Sequence, residues 1–335
     1  MPNWTIPLDS SLPRAGRGNR LPAWKRWLSL QAYGLFTSTL FRAHTSPQAL
    51  RARFERFGHT SREALQRKRP GLVFEDHALG PLEMESVKAS PAPQRVVLHL
   101  HGGGFVFGST ASYRNRAMRL SYRFDAEVFV PDYRLAPEHA FPAALDDALS
   151  AYHYVRALHP HTPLILSGDS AGGGLALSVM LRLRALAEPL PAGAILLSPW
   201  TDLSASGASV RNNHGKDLWL RRAHLEQWGG HYAGAIDRCT PLMSPVFADL
   251  SGLPAMLLLA GEDEILLDDA KRVAESAVRA GSDARLLVGK GMQHDWPLTL
   301  PWLDESREAW ETMRRFVEER CRCALATCVN YKSCR

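Results

Sequence analysis

The fold is most clearly indicated by residues 164–175, LILSGDSAGGGL. Leu164–Leu166 is a short apolar run that is typical of a buried strand, and the pattern over Ala171–Ala187 predicts a helix. Between them, GDSAG at 168–172 matches G-x-S-x-G, a turn so sharp that it lifts the serine hydroxyl above the sheet. The helix behind the turn adds backbone donors and the positive end of its dipole. This pattern predicts a nucleophile at Ser170. The alternative is a glycine turn with a capping serine.

The rest of the chain alternates strands with helices. Strands are predicted at Arg95–Leu100, Ala126–Val130, Ala194–Leu197, Ala255–Leu259 and Ala284–Val288, and a strand pair at Leu72–Lys88 around Gly80-Pro81; helices are predicted at Ala111–Phe124, Ala143–Leu158, Leu266–Ala280 and Trp302–Cys321. Continuous apolar strands alternating with helices indicate a mostly parallel central sheet covered by helices on both faces.

Composition excludes several classes of protein. Of the 335 residues, 45% are hydrophobic and 22% are charged, so the chain can bury a large core and is not a disordered polyelectrolyte. The net charge of +6 is spread along the chain apart from Arg14–Lys25 and Arg62–Arg69, and no recognition motif accompanies it. We therefore expect no nucleic-acid partner. No apolar run reaches the length of a membrane-spanning helix.

The N-terminal region could be mistaken for a signal peptide, because basic residues precede the moderately apolar segment Trp27–Phe41. That segment starts late, contains Gln31 and lacks a small-residue cleavage site. Its apolar positions have helical spacing, so we expect an amphipathic helix and a cytoplasmic protein.

A serine hydroxyl is a poor nucleophile until a base accepts its proton. In folds that carry this turn, the order along the chain is Ser, acid, His. His294 follows the final predicted strand, and open α/β sheets place their sites at such strand ends. His214, His224 and His231 fall in the long segment between two strands. We therefore predict His294 as the base.

The orienting acid should follow the preceding strand. Residues 261–269 read GEDEILLDD there. Asp263 is the first aspartate in this loop, and we predict that it accepts the Nδ1–H of His294 and fixes the tautomer. Three other carboxylates compete for this role, namely Glu262, Glu264 and Asp268. Asp268 and Asp269 suit the first turn of the next helix.

Acyl transfer also needs fixed N–H donors for the oxyanion. HGGG at 101–104 follows a predicted strand directly, and its glycines let the backbone approach closely. We predict an oxyanion hole formed by the N–H groups of Gly103, Gly104 and Ala171. A phosphate cradle is disfavoured because the chain has no G-x-x-x-x-G-K-[ST]. We expect a structural role for His101.

Together these motifs resemble the hormone-sensitive-lipase-like esterases, the bacterial family IV branch of the α/β-hydrolases. The matching segments occur in order over roughly residues 72–300 and are HGGG at 101–104, DYRLAPEH at 132–139 with FPA at 141–143, GDSAG at 168–172, SPWTDL at 198–203, the acidic loop at 261–269 and HDW at 294–296. The resemblance implies an α/β-hydrolase fold with a helical cap built from the N-terminus and an insertion. It implies hydrolysis of carboxylic esters, usually with short acyl chains, without a cofactor, and often by a homodimer.

Almost sixty residues separate the strands at Ala194 and Ala255, which is too long for a plain connection. With an aromatic helix predicted near Leu218–Tyr232, we interpret this stretch as a lid. The predicted organisation is a cap segment at 1–70, the first part of the core at 71–197, an inserted cap at 198–245, the second part of the core at 246–320 and a Cys-rich tail at 321–335.

Four of the five cysteines, Cys321, Cys323, Cys328 and Cys334, lie in that tail. Their spacing matches no metal site, so we expect an irregular tail and no bound metal.

The predicted function is therefore a serine carboxylesterase that acts on short- to medium-chain esters with water as the second substrate. A lactone hydrolase or an acyltransferase would use the same residues. A non-catalytic ligand receptor is disfavoured because His294 is present. Candidate substrate-binding residues are Phe105, Trp200, Trp219 and Trp296, although ordinary core packing explains each aromatic residue equally well.

Overall fold

The computed structural model describes residues 5–6, 22–41 and 45–332. Within them, nine strands form one sheet: β1 (Thr5–Ile6), β2 (Val73–Leu79), β3 (Leu82–Lys88), β4 (Arg95–Leu100), β5 (Ala126–Pro131), β6 (Leu164–Asp169), β7 (Gly193–Leu197), β8 (Met256–Gly261) and β9 (Ala284–Gly289). Their order is β1-β9-β8-β7-β6-β4-β5-β3-β2. The pairs β2–β3 and β3–β5 are antiparallel and the others are parallel. The mostly parallel sheet predicted from the sequence is confirmed. The two-residue β1 was missed because it is too short to show a pattern.

Eleven helices are present in the described ranges: α1 (Ala23–Leu40), α2 (Pro47–Gly58), α3 (Arg62–Lys68), α4 (Thr110–Phe124), α5 (Ala143–Leu158), α6 (Ala171–Ala185), α7 (Ser209–Asn212), α8 (Arg222–Ala233), α9 (Leu267–Arg279), α10 (Trp296–Thr299) and α11 (Asp304–Lys332). Consecutive residues in the central strands, such as Leu257 and Leu258, are fully buried. Because neighbouring side chains of a strand point to opposite faces, both faces of the sheet are covered.

The lid helix and α11 differ from their predicted bounds by more than two residues. The lid helix begins at Arg222 rather than Leu218, because the Asp217 carboxylate accepts the backbone N–H groups of Trp219 and Leu220 at 2.8 Å and holds that stretch in a turn. The prediction of an irregular tail is wrong as far as Lys332, since α11 continues through it.

Ion pairs one turn apart stabilise the long α11, among them Arg315–Glu311 and Arg314–Glu318.

Cys321 is buried on this helix, and burial raises the pKa of its thiol to about 11. The side chain of Cys328 and all of Cys334 lie outside the described residues.

Helix α1 confirms the helix predicted for the N-terminal region, but the prediction of an amphipathic helix with one buried apolar face is wrong. Tyr33 and Leu40 are buried, whereas Trp24, Leu28 and Leu35 are exposed. No helix in the described part of the chain is long and apolar enough to cross a membrane. The basic residues Arg14, Arg17 and Arg20 lie outside the described residues.

The buried strands carry the stability of the fold, which a matched pair of leucine substitutions tests. Leu257→Ala in β8 removes a fully buried side chain and should lower the free energy of unfolding by about 2–5 kcal/mol. Leu158→Ala removes the same atoms from the end of α5, where the side chain is 49% exposed, and should cost far less. Urea denaturation of both variants measures the difference. Equal losses would contradict the difference in burial between the two leucines.

Candidate active site

The turn between β6 and α6 has the sharp geometry predicted for it. Ser170 has a φ of 53°, a left-handed conformation that is strained for a residue with a side chain. A Cβ atom on Gly168 would overlap the Gly172 carbonyl, and one on Gly172 would overlap the carbonyl of Leu100. The Ser170 N–H donates to the Leu197 carbonyl at 2.8 Å. The glycines let α6 pack directly against β4, and this contact holds Ser170 at the carboxyl edge of the sheet.

The glycine loop after β4 lies beside this turn. Gly103 and Gly104 have φ values of 118° and 59°, which favour glycine. A Cβ atom on Gly103 would overlap the Phe107 carbonyl. Among the described residues, no group accepts a hydrogen bond from the N–H of Gly103, Gly104 or Ala171. These three amides are the predicted oxyanion donors, and the fold leaves them available to a ligand.

Asp169 joins the glycine loop to the serine turn. Its carboxylate accepts the N–H of Gly102 at 3.1 Å and the hydroxyl of Tyr113 at 2.7 Å, and its Oδ1 lies 3.1 Å from Nε2 of His99. Burial opposes ionisation, but the hydrogen bond from His99 and the other partners lower the pKa of Asp169. Sequence reasoning missed this role, although the residue directly precedes Ser170.

His101 has the structural role expected of it. Its ring is buried and stacks on Tyr133 with centroids 4.1 Å apart, and its Nδ1 lies 2.8 Å from the Gly102 carbonyl. Burial lowers the pKa of His101 to about 4, so the ring is neutral near pH 7.

The structure corrects the identity of the acid. Nδ1 of His294 lies 2.9 Å from Oε2 of Glu264, whose other oxygen accepts the Gly261 N–H at 3.0 Å. The prediction of Asp263 is wrong, because a neighbouring residue occupies this position. Asn213 fixes the turn by donating to the carbonyls of Glu262 and Glu264 at 2.9 and 2.8 Å. Which side chain of a tight turn points inward depends on such tertiary contacts, and the sequence analysis had kept Glu264 only as a competing carboxylate.

A second carboxylate faces the other nitrogen of the imidazole. Nε2 of His294 lies 3.3 Å from Oδ2 of Asp295, and both side chains are buried. Burial disfavours the imidazolium, but the Asp295 charge and the hydrogen bond to Glu264 outweigh it and raise the pKa of His294 to about 10. Burial raises the pKa of Asp295. Its Oδ1 has no hydrogen-bond partner among the described residues.

Ser170, His294, Gly103 and Gly104 line one small cavity of about 20 Å³, space for roughly one water molecule. In this arrangement the Ser170 hydroxyl forms no hydrogen bond with a described residue, and Nε2 of His294 faces Asp295 instead. A second cavity of about 540 Å³ shares three lining residues with the first, namely Phe54, Arg116 and Trp219. Ser170 therefore lies next to a space large enough for a small ligand.

Of the four predicted substrate-binding aromatics, the structure places only Trp219 in the walls of these two cavities. Phe105 stacks on Tyr232 with ring centroids 3.7 Å apart. Trp200 is buried and donates its Nε1–H to the Asp202 carbonyl. Trp296 is fully buried against Gly289. The sequence missed the lining residues Phe54, Arg116, Leu220 and Trp228, which carry no motif.

Comparison with known proteins identifies the family to which this fold belongs. A family model described as alpha/beta hydrolase fold matches residues 97–298. The chain belongs to the α/β-hydrolase family. The acetyl-hydrolase of Streptomyces hygroscopicus is 36% identical over 240 residues, 71% of this chain and 80% of that protein. The esterase of Acinetobacter venetianus is 36% identical over 235 residues, 69% of this chain and 77% of that protein.

Solved structures of esterases have the same fold as this α/β-hydrolase. An esterase from the bacterial hormone-sensitive lipase family is 32% identical with a TM-score of 0.77, covering 87% of this chain and 97% of its own. A hormone-sensitive lipase from a metagenome library is 30% identical with a TM-score of 0.79, covering 87% of this chain and 98% of its own. The predicted resemblance to hormone-sensitive-lipase-like esterases is confirmed, and the chain is a carboxylic ester hydrolase.

A group of potential metal ligands lies on the antiparallel side of the hydrolase sheet. Glu75, His77 and Glu127 have ligand atoms within 4.8 Å of one another. Both ring nitrogens of His77 already have partners, the hydroxyls of Tyr154 and Ser86 at 3.2 and 3.0 Å. None of the three ligand residues lines the cavity of Ser170, so this group is separate from the serine site.

The carboxylate at Nε2 should control the titration of His294. We expect Asp295→Asn to lower the pKa of His294 from its raised value, because the substitution removes the facing negative charge and keeps the side-chain shape. Carbon-13 NMR of the imidazole Cε1, followed as a function of pH, measures the shift. Asp263→Asn is the matched control, since its carboxylate is not at either ring nitrogen. An unchanged His294 titration in Asp295→Asn would contradict this account.

Proposed function

We propose that this hydrolase is a serine carboxylesterase that cleaves short- to medium-chain esters through an acyl-enzyme on Ser170. In this proposal His294 is the general acid and base, and Glu264 orients it. The observation that carries the proposal is the shared cavity, in which a strained serine, an imidazole and two glycines of an amide-rich loop meet.

The reaction has two steps. Ser170 Oγ attacks the ester carbonyl while His294 accepts its proton, and the N–H groups of Gly103, Gly104 and Ala171 bind the oxyanion. The tetrahedral intermediate expels the alcohol, which takes the proton from His294. Water then loses a proton to His294, attacks the acyl-enzyme and releases the acid.

Glu264 contributes by fixing the imidazole. A carboxylate at Nδ1 keeps that nitrogen protonated, so Nε2 can accept the serine proton. For this step Nε2 must turn from Asp295 toward Ser170, both of which line the same cavity. The pH dependence of the reaction follows from the same histidine, because His294 can accept the serine proton only as neutral imidazole. Since the pKa of His294 is raised, we expect activity to increase with pH as His294 loses its proton.

The larger cavity supports a substrate of moderate size. Its volume of about 540 Å³ lies within the usual range for small-molecule sites, and its walls include the apolar side chains of Tyr33, Phe36 and Leu298. Relatives include proteins named acetyl-hydrolase and ethyl acetate hydrolase, which favours short acyl groups.

We also propose that the N-terminal helices and α8 act as a cap over this site. Tyr33 of α1 and Phe54 of α2 line the larger cavity, and Trp228 of α8 lines the smaller one. Phe41 links these elements, because its ring centroid lies 5.2 Å from the ring centroid of Trp219 and 6.0 Å from that of Trp228.

Ser170→Ala tests the nucleophile. We expect kcat on p-nitrophenyl butyrate to fall by on the order of 10⁶-fold, because no other hydroxyl takes over the attack. Labelling by a fluorophosphonate should disappear, while the thermal unfolding curve should remain cooperative. A purified variant with nearly full activity would reject the proposal.

A pair of substitutions one residue apart tests the acid. Glu264→Gln keeps the side-chain shape but removes the charge at Nδ1, and we expect kcat to fall by on the order of 10⁴-fold. Asp263→Asn makes the equivalent change next to it and should alter kcat only a few-fold. Steady-state kinetics of both variants decide between the two carboxylates, and a larger loss in Asp263→Asn would overturn the assignment of Glu264.

A further inference from the structure

Helix α4 carries a row of arginines beside the active site. Arg116, Arg119 and Arg123 are spaced three and four residues apart, so they lie on one face of the helix. At 1.5 Å per residue, the row extends for roughly 10 Å along the helix axis. It begins at the cavity that contains Ser170, since Arg116 is part of its wall.

Arg116 has the features of a ligand-binding group. It lines both the cavity of Ser170 and the larger apolar cavity. Its guanidinium lies over the Tyr113 ring at 4.4 Å. Within the described ranges it forms no hydrogen bond and no ion pair within 4 Å, although a guanidinium has five N–H groups to donate.

Arg119 connects the larger cavity to a third one. The third cavity, of about 800 Å³, shares Thr60, Asn115 and Arg119 with the 540 Å³ cavity. Its cationic lining residues are Lys68, Arg69, Arg119 and Arg123. No aspartate or glutamate of the described chain lines either of these two cavities. Burial lowers the pKa of Arg119, and repulsion from Arg116 and Arg123 lowers it further.

Burial disfavours the charge of Arg116, but Tyr113 and the carboxylates of Asp169 and Asp295 outweigh burial and raise its pKa. Arg119 has no such balance, because burial, Arg116 and Arg123 all lower its pKa. Several other partly buried arginines have carboxylate partners, as in Arg51–Glu138, Arg114–Glu85 and Arg285–Glu319.

Lys68, Arg69 and Arg123 are exposed, whereas Arg119 is partly buried. Holding a partly buried cation beside other cations costs free energy unless an anion balances it. An anion at Arg119 would occupy open space in the cavity of about 540 Å³, which adjoins the cavity of Ser170.

We propose that the α4 arginine row is a subsite for an anionic group on the substrate, a carboxylate or a phosphate. The substrate is then an ester whose carbonyl lies at Ser170, whose apolar chain fills the larger cavity and whose anionic end binds Arg116 or Arg119. Guanidinium groups bind both anions through paired, charge-assisted hydrogen bonds. This inference rests on the proposed esterase function and specifies the substrate class.

The test compares matched neutral and anionic esters. The neutral set is p-nitrophenyl hexanoate, octanoate and decanoate, and the anionic set is the mono-p-nitrophenyl esters of adipic, suberic and sebacic acids. The ω-phosphono analogue of the best anionic ester distinguishes phosphate from carboxylate. For each length, the ratio of kcat/KM for the anionic ester to kcat/KM for the neutral ester is measured in the wild type, Arg116→Gln and Arg119→Gln.

We expect this ratio to fall about tenfold or more in at least one of the two variants, because a charge-assisted hydrogen bond is lost. Arg119→Lys keeps the positive charge, so it should recover part of the ratio of kcat/KM values that is lost in Arg119→Gln. The matched control is Arg279→Gln, which removes the same charge from an exposed position that lines none of the three cavities. It should keep the wild-type ratio.

Unchanged ratios in both cavity variants, at every chain length and with the phosphono ester, would overturn the anionic subsite while leaving the esterase function intact. Equal falls in Arg116→Gln, Arg119→Gln and Arg279→Gln would also overturn it, because they would show only an effect of net charge. A wild type that hydrolyses neither set of esters would reject the proposed function itself.

Discussion

The close contact between the serine turn and strand β4 is the constraint on which the site depends. Gly172 lies against the Leu100 carbonyl with no room for a side chain. This contact brings the end of β4, and therefore the glycine loop, next to Ser170. Asp169 then fixes the two segments to each other through Gly102 and Tyr113. Ser170 and the amides proposed to bind the oxyanion are thus positioned by backbone packing and one buried carboxylate.

The electrostatics of the site centre on a single buried imidazole. Glu264 and Asp295 face its two nitrogens, and Asp217 adds a further buried negative charge nearby. Burial raises the pKa of Asp217, as it does for Asp295. Each carboxylate stabilises the protonated ring, so they set how strongly His294 holds a proton. The pKa of His294 is therefore set by its sequence neighbour Asp295 together with two carboxylates that are distant in the sequence, Glu264 and Asp217.

The wall of the substrate space comes from different elements than the catalytic residues. Helices α1, α2 and α8 contribute aromatic side chains, whereas α4 contributes the arginine row. α4 also packs against β3 and β5 of the core. The proposed charge recognition would therefore come from an element packed on the sheet, while the apolar walls come largely from helices of the proposed cap.

The motifs indicated the fold, the serine, the oxyanion loop and the histidine, because each depends on local backbone requirements. Glycines at a sharp turn and apolar runs in buried strands are visible in any linear sequence. The choice of Glu264 over Asp263 was not visible, because Asn213 and the packing around the turn decide which side chain points inward. Phe54 and Arg116 likewise reach the site only after distant helices pack together. Local patterns were thus enough to establish the order of the functional segments along the chain, from oxyanion loop to serine to acid to histidine. Which carboxylate contacts the imidazole, and which side chains surround the substrate, depended on three-dimensional packing, because those contacts join residues that no local pattern relates.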